Sequence, residues 1–255
     1  MTRSFIAAIF CIILLSHSAR LRAQVSISDS VISLTLLDIV YVGQFTGADL
    51  AAQTGYSSQL GLDAHHKFRS QWYAGGGVHV FFSESVKSEG LLGDLLTPDE
   101  LLVANNGTLT GVNYLVSGFV VPLSVGRLFP VIEKHNLNSG IYVEGGIQYL
   151  QHKVNYRLRG DPVAALSGEY LKGYDRLSSG WGLRQAFGYR YLDSKGLLNL
   201  SFGLDISENF TRGRRSLNYA TGLPGNQRRI DLLYGFHACW TFPLYNRAPN
   251  KTYYY

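Results

Sequence analysis

A two-residue alternation of apolar and polar side chains, sustained through several separate stretches, restricts this chain to β architectures. In residues 230–242, Ile230, Leu232, Tyr234, Phe236, Ala238, Trp240 and Phe242 stand opposite Asp231, His237 and Thr241. In residues 198–210, Leu198, Leu200, Phe202, Leu204, Ile206 and Phe210 stand opposite Asn199, Ser201, Asp205 and Asn209. Successive side chains of a pleated strand point to opposite faces, so each stretch reads as a strand with one dry face. A soluble sandwich turns that face inward. A membrane barrel turns it outward, against lipid.

The same period predicts strands over residues 37–45, 56–69, 72–83, 113–127, 140–156 and 176–191, which makes eight in all. The connections alternate in length: residues 46–55, 84–112, 157–174 and 211–227 are long, whereas 70–71, 129–139 and 193–196 are shorter. Long loops at one end and short turns at the other characterise outer-membrane barrels, with the short side periplasmic. An even strand count returns both termini to that side, and closure removes the exposed edges of an open sheet. The expected fold is therefore all-β, an eight-stranded antiparallel transmembrane barrel of outer-membrane type.

The N-terminus agrees. Arg3 precedes an unbroken apolar run over residues 5–15, too short to span a bilayer and suited to a secretory signal. The domain reading is a signal peptide at residues 1–23, a barrel at 24–242 and a periplasmic tail at 243–255. Loss of Arg3, Arg20 and Arg22 lowers the formal charge from +5 to +2, so the basic character comes partly from the leader. A nucleic-acid partner is excluded on that basis. Cys239 is then the one mature cysteine, which leaves no intrachain disulfide or thiolate metal cluster and reads as a small buried apolar side chain.

Aromatic placement decides which face is dry. Phe68 and Trp72, with Tyr189, Tyr191, Trp240 and Phe242, sit near strand ends, as interfacial girdles require. Charged residues make up 16% of the chain, against about 25% in typical soluble domains, which suits a partly lipid-covered surface. The apolar rows thus face outward. Asp63, Lys67, Glu144, Arg176, Arg184, Arg190, Asp205 and Asp231 fall on the opposite rows, inside a barrel just wide enough to be filled by side chains. Unpaired buried charges are costly, so these groups are expected to pair and to close the lumen. Gly75, Gly76, Gly77, Gly145, Gly146, Gly180 and Gly182 are read as relieving crowding and allowing strong curvature. Gln185 interrupts one apolar row.

No constellation points to catalysis or a cofactor. His65 and His66 are adjacent and face opposite ways, and His79, His152 and His237 lie on different strands, so no metal site is expected. No serine can be tied to a histidine and an acid near the outer rim. Two features exceed what a plain barrel needs. In the loop stretch LLGDLLTPDELLV, Thr97, Pro98 and Glu100 match a helix cap, first-turn proline and capping-box acid. Its Leu95, Leu96, Leu101 and Leu102 form either a lid over the barrel mouth or a partner-docking surface. The second feature is the tail, which carries two prolines, Arg247, Lys251 and no acid. Pro243 and Pro249 argue against a further strand. Tyr245, Arg247, Tyr253, Tyr254 and Tyr255 are candidate anchors, either for a periplasmic partner or for lipid headgroups.

The runs GEYLKGYDRL (168–177), RRIDLLYG (228–235) and PLYNRAPNKTYYY (243–255) resemble a family of small outer-membrane barrel proteins from Bacteroidota-type envelopes. The resemblance implies an exported outer-membrane barrel without known enzymatic activity, acting as an accessory or scaffold subunit of an envelope assembly or secretion complex. Its partners would be outer-membrane lipid and envelope proteins. A lipid-modifying barrel enzyme and a surface-binding barrel acting through its long loops are the alternatives.

Overall fold

The computed structural model describes residues 31–87, 90–131, 137–193 and 199–245, with only the backbone of Asp94 and Tyr245. The expected signal segment, Arg247, Tyr253, Tyr254 and Tyr255 lie outside the described residues, as does the side chain of Tyr245. Eight long strands form a closed antiparallel barrel: β1 (Leu34–Ala48), β2 (Tyr56–Lys67), β3 (Trp72–Ser83), β6 (Val112–Phe129), β7 (Gly140–Leu158), β8 (Ser178–Tyr191), β9 (Leu200–Gly213) and β10 (Arg228–Tyr245). The remaining two, β4 (Leu102–Val103) and β5 (Leu109–Thr110), make a small hairpin within the longest loop. Each barrel strand pairs with its sequence neighbour in the wall, and β1 closes on β10 from Leu34↔Tyr245 to Ala48↔Asp231.

The alternation in the sequence becomes the two faces of the wall. On β8, Trp181, Leu183, Phe187, Tyr189 and Tyr191 point outward and are exposed, whereas Arg184 and Arg190 point inward and are buried. The ten steps from Trp181 to Tyr191, at about 3.4 Å each and tilted about 40°, give an apolar band about 26 Å tall, close to the ~25 Å band of membrane barrels. Aromatic residues mark both rims. At the short-turn end the Arg127 guanidinium lies 5.7 Å from the Trp72 ring and 5.3 Å from Phe129. At the long-loop end Tyr149 packs on Trp181 at 5.3 Å, with Phe210 beside Trp181 in the ladder. The outward Glu208 sits next to that upper rim, between Leu183 and Leu232. A lipid-facing charge costs least near the interface.

Two prolines lie within strands. Pro122 of β6 faces the lumen, and the β3–β6 pairing is interrupted between Gly76↔Leu123 and His79↔Val120, where its missing donor would fall. Pro243 moves a boundary: β10 runs to Tyr245, not to Phe242. Thr241 donates its N–H toward Asn199 on the β9 side, and Pro243 shares that orientation two residues on, where pairing with β9 has ended at Trp240↔Leu200. The lost donor therefore breaks no ladder bond, and pairing with β1 continues.

Candidate functional site

Two regions carry the polar chemistry of the described chain: the lumen and the cap made by the long loops.

The lumen is a stack of paired charges. Near the short-turn end, Asp38 accepts from Arg190 Nη2 at 3.3 Å, from His65 Nδ1 at 3.3 Å and from the Thr241 hydroxyl. Lys67 is capped differently, by Asn138 Oδ1 at 2.9 Å and the Ile32 carbonyl at 3.3 Å. At mid-height Arg184 bridges two acids, donating to Glu144 at 2.9 Å and to Asp205 at 2.6 and 2.9 Å. Tyr73 donates to Glu144, and Tyr142 meets His237. His79 joins Asp63 at 2.8 Å, and nearer the long loops His152 joins Asp231 at 3.0 Å. None of the charged partners Asp38, Asp63, Glu144, Arg184, Arg190, Asp205 and Asp231 is more than 8% exposed. Each of these histidines meets an acid of another strand, which explains why they fall on polar rows.

Around the His152–Asp231 pair, toward the long-loop end, lies an apolar layer that the sequence reading missed. Phe81, Val116, Val120, Leu150, Val154 and Leu233 project inward and pack with the loop residues Leu50 and Leu91. The available signal was an apolar residue on both parities, as in FVV at 119–121, where alternation breaks down. Close approach to the charges explains two glycines. A Cβ on Gly77 would lie 1.8 Å from Asp63 Oδ1, and one on Gly61 would lie 2.0 Å from the His79 ring. Gly145 departs from the crowding part of that expectation, because it faces outward and an added Cβ would meet nothing within 4 Å.

Three long loops interlock as a cap. Leu92, Leu102, Val163 and Tyr174 form its buried centre, with Leu95 and Leu96 packed against it and Leu101 half-buried. The expected helix at Thr97 does not form. Thr97 and Leu101 close a tight turn through Thr97 N–H to the Leu101 carbonyl and Leu101 N–H to Thr97 Oγ1, and Glu100 takes φ +59°. Leu96 then bridges Leu102, which enters the β4–β5 hairpin. A helix this short gains too little from its own hydrogen bonds to resist that pairing. Asp161 of the next loop accepts from Asn106 and Thr108 across the gap, which holds its carboxyl below the usual range. Tyr174 packs edge-on against Tyr219 at 5.6 Å, joining the third loop.

Arg176 is a second correction. Expected in a lumen row, it precedes β8 at φ +47° and donates to the Gly90 carbonyl. The geometry of the charged sites is thus structural: every lumen acid named above is held by partners from the wall.

No family model matches the chain, and no curated protein matches it. Among solved structures it is similar to the attachment invasion locus protein Ail of Yersinia pestis (10% identity over 82% of this chain and 99% of that one, TM-score 0.37). It is also similar to Neisserial surface protein A (11%, 80% and 95%, TM-score 0.37) and to OprG from Pseudomonas aeruginosa (14%, 84% and 98%, TM-score 0.32). The chain's own closed ladder and outward apolar band make it an eight-stranded outer-membrane β-barrel.

Proposed function

We propose that the protein is a non-catalytic outer-membrane barrel that serves as an accessory or scaffold subunit of an envelope assembly, docking partners through its loop cap and its C-terminal tail. The observation that carries this reading is the apolar surface of the cap. Val103, Leu109, Tyr170, Leu217, Tyr219 and Leu223 are 41–66% exposed on loops outside the lipid-facing band. Apolar side chains held in water on a well-packed surface favour a protein partner. The filled lumen supports a platform role over a transport role. In this reading the long loops face the exterior and both termini face the periplasm, where Tyr245, Arg247, Tyr253, Tyr254 and Tyr255 supply the second docking element.

Affinity purification from native envelopes tests the proposal, with three chains compared by mass spectrometry: full-length, one lacking residues 248–255, and one carrying Tyr170→Ser with Leu223→Ser. Each altered chain is expected to remain heat-modifiable on gels and to lose a different co-purifying protein. Identical partner lists for all three would overturn the docking proposal. Lipid A from a deletion strain is expected to keep its mass profile; a changed acyl pattern would favour the lipid-modifying enzyme instead.

A further inference from the structure

The cap contains a cavity of about 230 Å³ at the barrel mouth, and its lining is markedly basic. Arg176 enters from the loop before β8, Arg215 from the loop between β9 and β10, and Arg229 from the second position of β10. Among the described residues, no aspartate or glutamate lines it. Arg215 is satisfied from behind by a fork onto Asp175, and Arg229 by Asp231 at 3.1 Å. Arg176 has no carboxylate partner among the described residues and is held only by the Gly90 carbonyl. Burial, with the nearby Arg229 guanidinium, lowers its proton affinity. Two converging guanidiniums without a shared acid form an arrangement that an anion stabilises.

The unpartnered and neutral polar groups narrow the ligand. Nε of Arg176 and Nε of Arg229 are donors with no hydrogen-bond partner among the described residues. The Oε1 atom of Gln53, a lining residue only 5% exposed, is an acceptor in the same position. Ser178, Asn218 and Thr221 add polar groups to the wall. Guanidinium forks match carboxylates and phosphates alike, but three of them entering from separate segments suit a tetrahedral oxyanion, whose oxygens point in several directions, over a planar carboxylate; a lone amide acceptor suits a hydroxyl. The volume lies below the roughly 300–1,000 Å³ of drug-sized sites.

We propose that this cavity binds a small soluble ligand bearing a phosphate or sulfate ester on a hydroxylated body of about monosaccharide size, with Arg176 as its main anchor. The site needs no partner protein, so it stands or falls separately from the docking role of the cap.

Isothermal titration calorimetry on the full-length barrel in detergent micelles tests this, using glucose 6-phosphate, glucose 6-sulfate and glucose as probes. At least one ester should bind, and glucose should not. Arg176→Gln should weaken ester binding about tenfold or more, as expected for a lost charge-assisted hydrogen bond. Thr221→Gln, which fills the cavity without changing charge, should weaken it too. Arg212→Gln, an exposed arginine outside the lining, should leave it unchanged. Absence of binding by both esters would overturn the proposal, as would binding that survives both Arg176→Gln and Thr221→Gln in heat-modifiable protein. Binding of micelle-incorporated lipid A with no response to either free ester would overturn the assignment to a soluble ligand.

Discussion

Replacing Arg184 with methionine tests whether the lumen behaves as a dry, paired interior. Its guanidinium makes three charge-assisted hydrogen bonds, one to Glu144 and two to Asp205, whose side chains are 7% and 6% exposed. Removing it strands two buried carboxylates, a loss of about 3–5 kcal/mol for breaking a buried pair. With an unfolding slope of about 2 kcal/mol per molar urea, the midpoint should fall by roughly 2 M. Adding Glu144→Gln and Asp205→Asn removes the stranded charges, and neutral replacement of a buried ion network is often nearly cost-free, so the triple variant should return to within about 1 kcal/mol of the parent. The assay is urea unfolding in lipid vesicles, followed by tryptophan fluorescence and by gel mobility without boiling. The reasoning fails if Arg184→Met costs less than about 1 kcal/mol, or if the triple variant is no more stable than the single one. Either result would mean that water reaches these charges and screens them.

Gly77→Ala should cost about 1–3 kcal/mol by driving a methyl group into Asp63 and the Leu62 carbonyl, while Gly145→Ala, facing open space, should change stability by less than about 0.5 kcal/mol. Equal effects in the same unfolding assay would refute the assignment of faces. Purified protein in planar bilayers should show no steady conductance, because ion pairs and the Phe81–Leu150 apolar layer fill the lumen; a stable open level would contradict that packing. Cysteines placed at Gly93 and Asn218 should react with an impermeant maleimide on intact cells, and those at Asn136 and Ser194 should not; the reverse pattern would invert the orientation.

How much of this structure is legible in the sequence depends on the range of the interactions. Alternation is a property of one strand read alone, so Trp181 and Arg184 declare their opposite faces without reference to any neighbour. Eight such strands with short and long connections in turn leave little choice but a closed barrel. Pairing inside the lumen is different. Arg190 reaches Asp38 across 152 residues, His152 reaches Asp231 across 79, and Arg184 reaches Glu144 across 40. Which row meets which depends on the stagger between strands, and a shift of register changes every partner while leaving the alternation intact. The apolar layer escaped for a related reason: Val116, Val120, Leu150 and Val154 face inward beside apolar residues that face lipid, and hydrophobicity alone does not distinguish the two destinations. In the loops, local signals lost to pairing. Thr97, Pro98 and Glu100 form a locally sound helix start, yet the Leu96–Leu102 bridge and the buried cap centre take Leu102 into a hairpin. Arg176 likewise followed the parity of β8 in sequence but left the wall at a left-handed residue, joining Arg215 and Arg229 from two other segments. Strands and faces are written in short-range side-chain order; the basic cavity exists only where distant segments meet, because closure of the barrel fixes which loop ends lie side by side.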